Sequence, residues 1–158
     1  MASRGSEAPP SYTFLVSACL AGINCTYRGK NNLKKKIKRL VDTGQALPVC
    51  PEVLGGEPIP RQKCEIRGGD GAGVLDKLAR AVTRSGRDIS KSLIRGSRET
   101  LRLAKKYKIK KAILKSESPS CGYGRIYDGT FGHHLIKGNG VTAALLGRNK
   151  IKIRTERD

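Results

Sequence analysis

Three cysteines of this chain each stand shortly after a compact apolar run. Cys19 follows Phe14-Leu-Val16, Cys50 follows Ala46-Leu-Pro-Val49, and Cys121 lies in the run Ser118-Pro-Ser-Cys-Gly122, beyond Ala112-Ile-Leu114. Apolar runs of this length, bounded by turn residues, read as buried strands. In an open α/β sheet the carboxyl ends of parallel strands face one crevice, and ligands bind there. Thiols scattered along the chain would meet at that point. Thiolates select zinc, copper(I) or iron–sulfur clusters. A structural zinc site usually brings four ligands as two close pairs, a spacing this chain lacks. A cluster normally takes four thiolates, so three would leave one position open for a substrate atom. The competing reading is that the cysteines are small buried hydrophobes.

Other groups would share the crevice. Glu52 lies two residues past Cys50, and Glu117, Ser118 and Ser120 flank Cys121. A carboxylate there is a candidate general acid or base, although Ser and Glu in loops also cap backbone amides. Gly122 and the run Gly68-Gly-Asp-Gly71 offer close backbone approach to an anion, or simply make turns. The only histidines, His133 and His134, are adjacent. Neighbouring residues on an extended segment point to opposite faces, so they make a poor metal pair and read as surface residues. Cys64, between Lys63 and Glu65, lacks the loop pattern of the other cysteines and reads as an unengaged thiol.

The elements that must position these groups follow from periodicity. Thr13 to Ser17 reads as the first strand, followed by a loop over 18–32 holding Cys19 and Cys25. Leu33, Ile37, Leu40 and Val41 recur at helical spacing, with Asn31 or Asn32 as cap and Gly44 as terminator. Ala46 to Val49 is a second strand. Residues 51–73 read as a long irregular loop, rich in Pro and Gly. Leu78 to Val82 reads as extended, and Ser85-Gly86 as a turn. Asp88 or Ser90 then caps a helix with Leu93, Ser97, Leu101 and Ala104 on its inner stripe. Lys111 to Lys115 is the next strand, Gly140 to Arg148 a last helix and Ile151 to Ile153 a last strand. The sum is a single compact Rossmann-like α/β domain over residues 12–158, with a mostly parallel sheet flanked by helices and the cysteines at strand carboxyl ends. Residues 1–11 read as a flexible tail.

The chain has 158 residues, five cysteines and a formal charge of +19. No apolar stretch reaches the roughly 20 residues that span a bilayer, and no signal-peptide core precedes the first strand, so a cytoplasmic protein without a membrane partner is expected. An odd cysteine count without C-x-x-C pairs fits ligands, nucleophiles or core fillers better than disulfides. The charge favours anionic partners. With aromatics at only 4% of residues, a stacking platform for single-stranded nucleic acid is poorly supplied, and nucleic acid is not the favoured partner.

The runs Val16-Ser-Ala-Cys-Leu-Ala-Gly22, Asn24-Cys-Thr-Tyr27, Pro48-Val-Cys-Pro-Glu-Val-Leu-Gly-Gly56, Gly68-Gly-Asp-Gly71, Ser118-Pro-Ser-Cys-Gly122, Ile126-Tyr-Asp-Gly-Thr-Phe131 and Gly140-Val-Thr-Ala-Ala-Leu145 occur together and in order. This combination resembles the thiouracil desulfidase family over about residues 12 to 155. The resemblance implies an α/β enzyme with an oxygen-sensitive [4Fe–4S] cluster held by three cysteines, whose open iron takes sulfur from thiolated uracils or their nucleotides. Carried onto this sequence, the ligands would be Cys19, Cys50 and Cys121, with Cys25 in reserve. Glu52 and Ser118 would fill the acid/base and substrate-polarising positions, and Ser120 and Gly122 would border the substrate. Arg28 stands where the family commonly has an acidic residue, and would either meet a substrate phosphate or merely swap a surface charge. The cluster would act as a Lewis acid while Glu52 activates water, converting thiocarbonyl to carbonyl with release of hydrosulfide and no net electron transfer. Two other functions compete: a basic RNA-binding protein that recognises thiolated tRNA bases, and a thiol-redox or persulfide carrier.

Overall fold

The computed structural model describes residues 10–158. Residues 1–9, most of the expected tail, lie outside the described residues. The core is a four-stranded sheet built from β1 (Phe14–Ser17), β2 (Ala46–Val49), β5 (Lys111–Leu114) and β8 (Lys152–Thr155), in the order β2-β1-β5-β8. All three pairings are parallel, with Phe14 opposite both Ala46 and Lys111. Leu15, Val16, Ala112 and Leu114 are all but inaccessible to solvent, as strands covered on both faces require. The chain leaves β1 for β2 on one side and later returns to β5 on the other. This strand-order reversal makes the crevice expected at the carboxyl ends.

Helix α1 (Lys35–Asp42) joins β1 to β2. It starts later than its spacing predicts. Asn31 Oδ1 accepts from the Leu33 N–H at 3.0 Å, and the Lys34 N–H is held by the Leu20 carbonyl at 2.8 Å. The turn so formed leaves Leu33 exposed, and neither Asn31 nor Asn32 is the N-cap. Gly44, at φ +76°, follows the helix end.

The long irregular loop expected over 51–73 is instead ordered into short pieces: α2 (Pro51–Leu54), β3 (Cys64–Arg67) and the start of α3 (Gly71–Leu75). β3 pairs antiparallel with β4 (Arg80–Thr83), a non-local contact that no local pattern announces. Helix α4 (Ser90–Lys106) begins where expected, but its N-cap is Ile89 and not Asp88 or Ser90; Asp88 Oδ1, one residue earlier, accepts from the Ser90 N–H at 2.8 Å. A second hairpin, β6 (Arg125–Tyr127) with β7 (Leu135–Lys137), has no counterpart among the expected elements. Helix α5 (Val141–Arg148) follows it.

Two close backbone approaches seat the elements that carry the site. A Cβ on Gly96 of α4 would come within 1.7 Å of the Pro51 carbonyl oxygen, and one on Gly55 within 2.0 Å of the Ser92 carbonyl oxygen. Glycine at both positions lets α2 rest directly on α4. Among the described residues, no helix is long and apolar enough to cross a membrane.

Candidate functional site

The carboxyl ends of β1, β2 and β5 open onto a cavity of about 300 Å³. Each thiol reaches it by a different local device. Cys19 sits in the 3-10 turn Ala18–Ala21 that continues β1, Cys50 is the residue between β2 and α2, and Cys121 ends the turn Ser118–Cys121. Cys25 and Cys64 line the same cavity, and all five cysteines are free thiols. The loop after Cys19 folds back on itself: the Asn32 N–H bonds to the Cys19 carbonyl at 2.9 Å, which brings Cys25 beside Cys50. Cys50 Sγ lies 3.7 Å from the Cys25 carbonyl oxygen.

The thiols differ in character. The Cys25 side chain hydrogen-bonds to Cys50 and holds the Cys50 pKa below that of an ordinary thiol, aided by the Val53 N–H and opposed by burial. Its own pKa rises in turn, first through that bond and then through burial. Burial pushes Cys121 well up, against a lowering hydrogen bond from Ser17, and pushes Cys19 up against one from Asn32. Cys64 is raised by burial above all. It opens β3 and packs in an apolar cluster with Ile66 and Ala81, a free thiol buried in the cavity wall.

Polar groups line the same cavity. Glu52 pairs with Arg61, a residue the sequence patterns did not single out. Arg61 Nε donates to Glu52 Oε2 at 2.7 Å, and a second guanidinium nitrogen lies 2.6 Å from the same oxygen. Further Arg61 N–H groups donate to the carbonyls of Cys25, at 2.8 Å, and Pro58, at 3.1 Å. The guanidinium is only 6% exposed, and it ties the Glu52 segment to the Cys25 loop. Glu52 Oε1 takes no part in this pairing. The one signal for Arg61 in the sequence is that it is the first cation after Glu52 in the same Pro-rich stretch.

Ser118 and Ser120 line the cavity with Cys121. Ser118 Oγ accepts the N–H groups of Ser120 and Cys121, at 3.1 and 3.0 Å. Both lone pairs are thereby used, leaving its O–H to donate. Gly122 is buried beneath this turn rather than in the cavity lining; a Cβ there would lie 2.5 Å from the Ser118 carbonyl oxygen. Glu117 lines the cavity but is ion-paired to Arg157 at 3.0 Å. Arg28 is exposed and outside the lining. Arg61, Lys63 and Lys115 are the lining cations, and the Lys63 ammonium lies 4.7 Å over the Tyr127 ring. Glu65 anchors this corner: its Oε1 accepts the Gly129 and Phe131 N–H groups, both at 3.1 Å, while its buried Oε2 has no hydrogen-bond partner and sits 3.9 Å from Lys63 Nζ. His133 and His134 are exposed beyond the β6 strand, as expected of surface residues. Gly68 and Gly69 form a turn at positive φ, and Asp70 caps α3 by accepting from the Gly73 N–H at 3.1 Å.

Among the described residues no three Cys, His, Asp or Glu side chains are gathered tightly enough for a single metal ion. The three strand-end thiols instead ring one cavity, a soft donor set suited to a polynuclear iron–sulfur group. The molecule is thus a parallel α/β protein with a thiol-lined crevice at its switch point. More particularly, the chain belongs to the 2-thiouracil desulfurase family, whose model matches residues 14–158. A Bacillus subtilis (strain 168) relative, the uncharacterized protein YbbK, is 46% identical over 144 residues, covering 91% of this chain and 95% of its own. The solved structure of the [4Fe-4S]-dependent thiouracil desulfidase TudS matches at 38% identity with a TM-score of 0.81, over 93% of this chain and 92% of that one. These findings bear out the family resemblance and the parallel α/β architecture. They lend no support to the RNA-binding or persulfide-carrier readings.

Proposed function

We propose that this protein is a [4Fe–4S]-dependent desulfidase that converts the thiocarbonyl of thiolated uracils to a carbonyl and releases hydrosulfide. The observation that carries the reading is the convergence of Cys19, Cys50 and Cys121 on one cavity beside Glu52 and Ser118. These three thiols would hold the cluster. Cys25, hydrogen-bonded to Cys50, stands by as the second thiol. When bound, a cluster with one open iron supplies Lewis-acid attraction for a soft sulfur atom.

The protein's own groups account for the rest of the chemistry. Arg61 fixes the Glu52 carboxylate through Oε2, so Oε1 is the oxygen that takes a proton from water. That water attacks the thiocarbonyl carbon, the carbon–sulfur bond breaks, and sulfur departs as hydrosulfide while the ring keeps the water oxygen. Electrons balance without a redox partner, so the reaction is of hydrolytic type. Ser118, with its lone pairs taken by backbone amides, donates its proton to an acceptor atom of the ring. For a nucleotide substrate, Lys63 replaces Arg28 as the phosphate contact, since it lines the cavity. Residues 12–158 would form one catalytic domain, and free cysteines fit a reducing compartment such as the cytoplasm.

Anaerobic reconstitution with iron and sulfide tests the reading. A brown protein that converts 2-thiouracil to uracil with stoichiometric hydrosulfide supports it; a fully loaded protein that leaves 2-thiouracil untouched overturns it. Raising ionic strength should increase KM for a thiolated monophosphate and leave that for the free base nearly unchanged, because exposed charge is screened over about 8–10 Å.

A further inference from the structure

The chain enters the Ser118–Cys121 turn through Lys115, Ser116 and Glu117, and each of these residues is held by a side chain from another part of the fold. Ser17 Oγ, at the end of β1, accepts the Lys115 N–H at 2.9 Å. Glu156, which follows β8, grips Ser116 with both oxygens. Its Oε1 accepts the Ser116 N–H at 2.7 Å, and its Oε2 accepts the Ser116 O–H at 2.8 Å. The Lys115 ammonium lies 3.3 Å from the same Oε2. Arg157 donates to Glu117 at 3.0 Å, but its side chain is mostly exposed and such a pair adds little. The Glu156 grip is of another order. Ser116 is 6% exposed and the Glu156 side chain 5%, so water competes little for these charge-assisted bonds.

The residue enclosed in this way is strained. Glu117 has φ +66°, in the left-handed region that residues with side chains rarely enter. Such a conformation persists only where its surroundings over-determine it. It stands one residue before Ser118 and sets where the turn begins. The far half of the turn is held separately by α5, whose Val141 and Thr142 N–H groups donate to the Pro119 and Ser120 carbonyls at 2.9 and 2.8 Å. We infer that Glu156 is a positioning residue for the desulfuration: it holds the entry to the turn with Glu117 in its strained conformation, and thereby fixes Ser118, and Cys121 behind it, at the cavity. The inference rests on the proposed activity, in which Ser118 donates to the substrate ring. Glu156 acts from 40 residues further along the chain and does not itself line the cavity.

The test is hydrogen exchange of the cluster-loaded protein, read by mass spectrometry on peptides spanning the Ser118–Gly122 turn and β1, alongside turnover of 2-thiouracil. The Ser120 and Cys121 N–H groups report on Ser118 directly, since its Oγ is their acceptor. Glu156→Ala should speed exchange in the turn at least about tenfold and leave β1 within about twofold, because the loosening is local. In the same variant kcat/KM for 2-thiouracil should fall roughly ten- to a hundredfold, the scale for a small misplacement at a reacting centre. Adding Glu117→Gly should recover at least about half of each loss on a logarithmic scale, since glycine adopts positive φ unaided. Glu156→Gln, which keeps size and one acceptor, should show the same local pattern at about threefold, and it carries the test if the alanine variant does not fold or load. A merely stabilising role would speed exchange in the turn and β1 alike. That outcome, no acceleration in either, unchanged kcat/KM in a loaded variant, or no recovery with Glu117→Gly overturns the inference. Local loosening in the variant beside a loaded wild type that leaves 2-thiouracil unconverted overturns the activity alone. A wild type that converts 2-thiouracil, with no local loosening in the variant, overturns the positioning role alone.

Discussion

The two walls of the cavity are built on different principles. The thiol wall rests on the backbone: Cys19 and Cys50 extend neighbouring strands whose register is fixed from Phe14 opposite Ala46 to Ser17 opposite Val49. The polar wall rests on side chains that seize backbone groups, Arg61 on the Cys25 and Pro58 carbonyls and Glu65 on the Gly129 and Phe131 amides. A sheet holds its strand ends rigidly, which suits ligands of a cluster. A wall of paired side chains can be altered one contact at a time. Damage to the first wall should be all-or-none, and damage to the second graded.

Replacing Cys50 with Ser is the harshest test of that contrast. Iron content, visible absorbance and activity should vanish together, and the same should hold for Cys19 and Cys121; a Cys50→Ser protein with full iron would remove it from the ligand set. Glu52→Gln should leave absorbance and iron unchanged and cut kcat by roughly a hundredfold or more, the usual scale for a lost acid or base. Loss of the cluster in that variant would instead place Glu52 in the structural framework. Arg61→Ala leaves a largely buried carboxylate unpaired, a change that costs about 3 kcal/mol and should lower the melting temperature by roughly 6–12 °C. Arg61→Lys keeps charge but loses the fork and should fall between, as thermal melts would reveal.

The mildest case is Cys64, whose thiol is held above its unfolded value of 9.0 by burial. Above that pH the unfolded chain sheds the proton while the folded one retains it, so this contribution to stability is complete below about pH 9 and declines as pH rises further. Denaturant titrations of the cluster-free protein between pH 8 and 10 should show a steeper loss for wild type than for Cys64→Val.

The two walls were also unequally legible in the sequence. β1, β2, β5 and the last helix were readable because their signals are local: short apolar runs and a Gly140 start. So were the three strand-end thiols, since strand ends and turn residues adjoin in the chain. The polar wall was legible only in part: Glu52 stood out two residues past Cys50, but its partner Arg61 and the Glu65 corner did not. β3 pairs with β4 beyond an intervening helix and packs near β6 much further along the chain, and neither alternation nor turn chemistry records which partner a four-residue strand will find. Arg61 carries no motif of its own; its role exists only once the Cys25 loop has folded back beside Cys50. The misplaced cap of α1 has the same origin, since the Lys34 amide is claimed by Leu20, a contact beyond the reach of helical periodicity.

The glycine seam between α2 and α4 has a mechanical corollary. With Pro51 resting against Gly96 through bare backbone, Cys50 and Glu52 ride on one short block, hinged at β2 and braced from behind. A single methyl at position 96 would point at the Pro51 carbonyl oxygen and the Gly55 amide, the backbone of that block. Gly96→Ala would drive a Cβ into the Pro51 carbonyl and force α2 off α4, displacing Cys50 and Glu52 together relative to the Ser118–Cys121 turn.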